Sequence, residues 1–292
     1  MPEINTFSIV AYDPTRGEWG VAVQSKFLGV GGLVTWAKAE AGAVATQSMA
    51  NLSYGIIGLE MMGKGVSARE VIEQLTGSDE ERELRQVGMV DSNGDAFSFT
   101  GNQCNEWAGH IIGDGFACQG NMLIPGTLEA MVEKYQQMRE GPGELADWLV
   151  AALEAGQAAG GDKRGRQSAC VLVVRKNGGY GGDNDRYLDL RVDDDPFPIQ
   201  KLKHIVEIHH LYFGPQDPDD VIPFTDIAGE IQEILAKTGH YDGEINGEFN
   251  EQTRQGLFTL VVIENLEERW DGKSDFIDGT AYRYLRDKFG KT

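Results

Sequence analysis

Thr6-Phe7-Ser8-Ile9-Val10-Ala11-Tyr12 is followed by Asp13-Pro14, and Trp19-Gly20-Val21-Ala22-Val23-Gln24 comes next after a short turn. Both runs are rich in β-branched and aromatic residues, which suit a pleated, half-buried strand, and Asp-Pro is a turn signal. Residues 6–25 therefore read as a β-hairpin, and a chain that begins with a hairpin builds antiparallel sheet. Outward from it, residues 42–47 read as a third strand and 54–75 as a helix. Ser67-Ala68-Arg69-Glu70 in that helix has the spacing of a capping box. Residues 86–90 and 96–100 flank Asp91-Ser92-Asn93-Gly94-Asp95, a hairpin turn containing Asn-Gly. A short strand at 115–119 precedes two helices, 128–139 and 144–155, separated by Gly141-Pro142-Gly143. Residues 167–175 and 187–192 close this part as strands. The order of strands, helices, strands, helices, strands predicts an α+β fold with two largely antiparallel sheets between two helical layers.

The composition changes after Asp193-Asp194-Asp195-Pro196-Phe197-Pro198. Residues 199–213 carry a helical apolar period, which ends a main domain spanning 1–213. Gly214-Pro215-Gln216-Asp217-Pro218-Asp219-Asp220 has little to bury, so 214–225 reads as a linker. Residues 226–292 read as a small three-helix domain around the turn Gly239-His240-Tyr241-Asp242-Gly243-Glu244-Ile245-Asn246-Gly247.

The 292 residues are 41% hydrophobic and 25% charged, an ordinary globular balance. Forty-six acidic against 26 basic residues give a formal net charge of −20, which argues against nucleic acid or anionic lipid as a partner. No apolar run approaches the length of a membrane span, and the first residues lack the basic and apolar regions of a secretory signal. Cys104, Cys118 and Cys170 are an odd number without paired spacing, so no disulfide framework is expected and the expected location is cytoplasmic. Neither His209-His210 nor the run Asp193-Asp194-Asp195 has a metal-ligand spacing, and no cofactor is expected.

Against that acidic background Gly160-Gly161-Asp162-Lys163-Arg164-Gly165-Arg166-Gln167-Ser168 is a concentrated basic loop at the lip of a strand. Glycines let backbone approach a ligand, and arginine forks grip carboxylates. Asp162, Arg164 and Arg166 are accordingly candidate contacts to a substrate with an anionic end. The alternative is a loop whose arginines pair with nearby acids. Gln47 and Ser48, ending the third strand, are candidate hydrogen-bonding contacts or the start of a loop. Cys104 with His110 offers a thiolate–imidazole pair, against the alternative of a buried thiol and a core histidine.

Thr6 to Ala11, the run Gly20-Val21-Ala22-Val23-Gln24-Ser25-Lys26-Phe27, Ala45-Thr46-Gln47-Ser48, Trp107-Ala108-Gly109-His110, Gln119-Gly120-Asn121-Met122 and the loop 157–168 together resemble DUF1028, a bacterial family of uncharacterised function. The resemblance covers nearly all of the first 213 residues. It implies the N-terminal-nucleophile (Ntn) hydrolase superfamily, a four-layer αββα sandwich, and the assembly into homo-oligomers common among such proteins. Residues 231–235, 239–249 and Thr253-Arg254 resemble a peptidoglycan-binding-like module, which implies a cell-wall fragment as a partner; residues 261–269 depart from its pattern.

The Ntn resemblance places the nucleophile at Thr6, with its own freed α-amine as base. Because Met1-Pro2-Glu3-Ile4-Asn5 precede it, this requires a cut after Asn5; otherwise Thr6 is an ordinary strand residue. Lys26, just past the second strand, returns near Thr6 and could take its proton or favour its alkoxide, or be a solvated surface lysine. Ser8, two residues on from Thr6, shares its face of the strand. Asn121 with neighbouring backbone amides could hold an oxyanion, or occupy a turn. The expectation is an amidohydrolase acting on a small amide or peptide-like substrate with an anionic end. The opposing expectation is a non-catalytic protein that binds a metabolite or cell-wall fragment on the same scaffold.

Overall fold

The computed structural model describes residues 6–290. Strands β1 (Thr6–Asp13) and β2 (Glu18–Ser25) form the hairpin, in register from Thr6 opposite Ser25 to Asp13 opposite Glu18. A single helical turn α1 (Gly31–Val34) leads into β3 (Thr35–Lys38) and β4 (Gly42–Ser48). Two helices follow, α2 (Ser53–Met62) and α3 (Ala68–Gly77), where the sequence suggested one over 54–75. The break has a local cause. Gly63 ends α2, Gly65 takes a positive φ of 86°, and Ser67 caps α3 through a full capping box with Glu70.

Four strands come next, β5 (Arg85–Asp91), β6 (Ala96–Thr100), β7 (Gly109–Gly113) and β8 (Phe116–Gly120). The unit is completed by α4 (Thr127–Arg139), α5 (Leu145–Ala158), β9 (Ser168–Val174), β10 (Arg186–Val192) and α6 (Pro198–Phe213). The strands make a six-stranded sheet in the order β10-β9-β2-β1-β8-β7 and a four-stranded sheet in the order β3-β4-β5-β6. Neighbouring strands are antiparallel throughout the described residues. β3 and β7, which the sequence reading omitted, are sheet-edge strands of four and five residues. Strands that short carry little periodic signal, and β6, equally short, was legible through the Asn-Gly turn before it.

Alternation along β1 builds the layers. Phe7, Ile9 and Ala11 join the core under α4 and α5, while Val10 joins Val21, Val23, Ala43, Ala45 and Ala117 between the two sheets. On the far side α2 and α3 cover the four-stranded sheet through Tyr54, Met62, Val71, Ile72, Val87 and Met89. Helices, sheet, sheet, helices is the α+β, four-layer αββα arrangement expected from the element order. Close approach is enforced at Gly20, where a Cβ would stand 2.6 Å from Leu149 Cδ1 of α5.

The chain divides into two compact units at Val206/Glu207, and α6 runs through the boundary. Ile199, Leu202 and Val206 belong to the first unit's core. In the second unit β11 (Val221–Pro223) pairs with β12 (Phe276–Asp278), and the helices are α7 (Phe224–Lys237), α8 (Glu251–Ile263) and α9 (Gly279–Leu285). The three expected helices thus come with a small β-ribbon. The stretch 221–225, read from sequence as linker, contributes β11 and the start of α7, because Val221 and Ile222 pair with Asp278 and Ile277. Leu211 and Tyr212 pack on this unit's core, which includes Phe224, Ile231, Leu257 and Trp270. The buried Gln232 staples the glycine-rich loop to α7: its Oε1 accepts from Asn246 N at 3.0 Å and Gly247 N at 2.9 Å.

Candidate functional site

Between the two sheets, the apolar seam gives way at one end to side-chain amides and hydroxyls. Ser8, Gln47, Gln86, Gln119 and Asn121 have no exposed surface. Gln86 is the hub. Its Nε2 lies 2.8 Å from Gly120 O, 3.1 Å from Gly109 O and 2.9 Å from Thr100 Oγ1, tying β5 to β6, β7 and β8. Its Oε1 accepts from Gln47 Nε2 at 2.9 Å and Asn121 Nδ2 at 2.8 Å. Gln47 Nε2 also reaches Gln119 O at 3.3 Å, which turns Gln47 Oε1 toward Ser8 Oγ at 2.6 Å. Ser8 in turn accepts from Gln119 Nε2 at 2.7 Å. Gly88 makes room for this bond, since a Cβ there would stand 2.0 Å from Gln119 Oε1. At the rim, Thr100 Oγ1 meets His110 Nδ1 at 2.9 Å, and desolvation holds the His110 pKa below its ordinary value.

Thr6 begins β1 at this end and is buried. Its hydroxyl donates to the Gln24 carbonyl, and its own carbonyl accepts from Asn121 N at 3.0 Å. Thr6, Asn121 and Gln47 therefore share one hydrogen-bonded network. Ser48 is also buried, opposite Arg85, with a positive φ of 64°. A second set forms around the basic loop. Lys26, exposed and next to Thr6's strand partner Ser25, donates its backbone N–H to Asp162 Oδ2 at 3.2 Å. Asp162 is buried and clamped by Arg164, whose NH2 lies 2.7 Å from Oδ2 and whose backbone N donates to Oδ1 at 2.9 Å. Arg166 lies with its guanidinium carbon 4.4 Å from the Phe197 ring centroid. The arginines of the loop thus meet an acid and an aromatic ring of their own chain. Cys104 Sγ donates to the Arg85 carbonyl at 3.3 Å, on a different partner from that of His110. The three cysteines are free and buried, and burial pushes the Cys170 thiol up to about 12. No group of three or more metal-ligating side chains occurs among the described residues.

The opposite end of the β1–β2 hairpin has a different chemistry, on the sheet face under α5. Glu18 is fully buried at the start of β2, and Arg175 NH1 reaches its Oε1 at 2.7 Å. Glu18 Oε2 is buried without a hydrogen-bond partner. Glu144, the N-cap of α5, accepts from Tyr187 OH at 2.6 Å, and the Arg175 guanidinium stacks 3.8 Å from the Tyr187 ring centroid. Burial raises the Glu18 pKa to about 7, with Arg175 opposing the rise and the nearby Glu144 and Asp13 carboxylates adding to it.

Neither Gln86 and Gln119 nor Glu18 stood out in the sequence as site residues. The signal was present: a glutamine inside an otherwise apolar strand must find hydrogen-bond partners once buried.

No helix of the described residues is long and apolar enough to cross a membrane. No curated protein matches the chain. Residues 212–285 match the family model described as "Putative peptidoglycan binding domain". The crystal structure of a DUF1028 protein from Silicibacter pomeroyi is similar, with 29% sequence identity, a TM-score of 0.63, and coverage of 70% of this chain and 89% of that one. The model described as "Family of unknown function (DUF1028)" matches residues 6–202, well over half of the chain, and the protein therefore belongs to the DUF1028 family.

Proposed function

We propose that the polar end of the seam is an acyl-transfer site, and that the protein hydrolyses a small amide or peptide-like substrate once the chain is cut after Asn5. The observation that carries this reading is the place of Thr6. It meets the buried amide network through Asn121 and the Lys26–Asp162 loop through Ser25. Hydrolysis of the Asn5–Thr6 peptide bond consumes one water and frees an α-amine that titrates near neutrality, within reach of its own hydroxyl. Thr6 Oγ1 then attacks the substrate carbonyl carbon as its proton passes to the amine. The C–N bond breaks with that proton delivered to the leaving nitrogen, and water cleaves the resulting ester. Lys26 contributes positive charge near the developing alkoxide. Gln47, Ser48 and the loop carrying Asp162, Arg164 and Arg166 shape the substrate side.

The test is amine release from a panel of N-acyl amino acids and dipeptides by the protein beginning at Thr6. Turnover that disappears in Thr6→Ala supports the reading; equal turnover in that variant contradicts it. A second reading is favoured by one feature: the Arg164 guanidinium is closed on Asp162 and the Asn121 amide nitrogen on Gln86. A chain in which those donors stay engaged is a binding protein, and calorimetric binding of the same panel without turnover would select it. For the second unit we propose a cell-wall fragment as partner, on the strength of its family match and a cleft of about 240 Å³ lined by Glu230, Glu233, Ile234 and Arg286. Pull-down on purified peptidoglycan tests it, and full recovery in the unbound fraction contradicts it.

A further inference from the structure

The direction of every hydrogen bond around Asn121 can be worked out from the backbone. Gln86 presents one amide atom to the carbonyls of Gly109 and Gly120. Carbonyl oxygens only accept, so that atom is the NH2 group, and the other, facing Asn121 at 2.8 Å, is the oxygen. Two oxygens would repel at that distance, so Asn121 turns its nitrogen toward Gln86. Its backbone N–H is also engaged, on the Thr6 carbonyl. What remains is Oδ1, a buried acceptor without a hydrogen-bond partner in a residue with no exposed surface. An oxyanion requires donors, and here Asn121 has only an acceptor to offer.

We propose that Asn121 is a positioning residue whose Oδ1 accepts a hydrogen bond from the α-amine of Thr6 in the cut chain. This rests on the reading of Thr6 as nucleophile. Thr6 and Asn121 continue the β1–β8 ladder one step beyond Phe7 opposite Gly120, so an amine on Thr6 emerges beside Asn121. Holding one of its N–H groups on Oδ1 restricts rotation about the N–Cα bond and leaves the lone pair to take the proton of the Thr6 hydroxyl. Leaving a buried acceptor unmatched is costly, and the amine removes that cost.

The experiment measures the α-amine pKa by pH-dependent acylation and by NMR in protein that begins at Thr6. Asn121→Leu removes the acceptor and should lower the amine pKa by about one pH unit, whereas Asn121→Asp should raise it by about one or more. An amine pKa unaltered in both folded variants overturns the proposal. A third readout needs no substitution. The Asn121 side-chain carbonyl carbon resonance should titrate with the amine in the cut protein, and a flat resonance contradicts the assignment. If the natural chain is never cut while this titration is seen, the proposed activity fails and the geometry of Asn121 stands. If it is cut and the resonance is flat, only the role of Asn121 fails.

Discussion

The two ends of the β1–β2 hairpin bury polar groups in opposite ways. At the Thr6–Ser25 end, the side chains between the sheets are uncharged amides and hydroxyls, with the Asp162–Arg164 pair confined to the adjoining loop, and backbone carbonyls fix which atom of Gln47 and of Gln86 donates. At the Asp13–Glu18 end, under α5, the groups are carboxylates and guanidinium, and Glu18 keeps an unpartnered oxygen. Neutral groups with fixed directions hold a geometry at any ordinary pH. Charged groups in a dry site hold it only in one protonation state. A reaction site needs the first kind of frame, and a pH response arises from the second.

The largest expected effect breaks the neutral frame. Gln86→Leu leaves Gln47 Nε2, Asn121 Nδ2 and two carbonyls without their partner. Urea denaturation should show a loss of about 3 kcal/mol or more. A loss below about 1 kcal/mol would mean that water or neighbouring groups replace the hub.

Next comes the charged end. The folded-state pKa of Glu18, about 7, lies above its ordinary 4.5, so the folded state binds the proton more tightly than the unfolded one. Its stabilising contribution is fully present below 4.5 and is lost as pH rises to 7, by roughly 2–3 kcal/mol. Glu18→Gln, a neutral mimic of the protonated form, should remove that decline. Melting temperatures of the two proteins should converge at acid pH, separate as pH rises from about 4.5 to about 7 and keep that separation above it, and a constant difference across that window would contradict the assignment.

The smallest effect sharpens the contrast. Ser8→Ala removes a donor to Gln47 and an acceptor for Gln119, and should cost about 1–2 kcal/mol, independently of pH between 5 and 8. A pH-dependent cost measured by the same denaturation would show that the seam is not electrically neutral in practice.

How far these features were legible follows from their physics. The layers were readable because hairpin strands and helices alternate along the chain; which face of β1 meets which layer, Phe7 and Ile9 on one side and Val10 on the other, came only with the structure. The break between α2 and α3 needed more weight on Gly63 and Gly65 than on the apolar period around them. β3 and β7 are short edge strands and were not read, whereas β6, an edge strand of five residues, was marked by the Asn-Gly turn before it. At the site, residue types pointed to one end of the sandwich, but not to how the donors are used. Arg164 looked like an anion fork and closes on Asp162, two residues away. Asn121 looked like a donor, yet its orientation is decided by Gln86, 35 positions distant in sequence. Long-range pairing of that kind leaves no local pattern to read.

The most direct test of the central claim is the intact mass and N-terminal sequence of the protein purified without a tag from its native producer. A chain beginning at Thr6 is the predicted result and makes its hydroxyl and amine a functional pair. A chain that retains Asn5 would contradict the acyl-transfer account and leave the neutral end of the sandwich as a binding site.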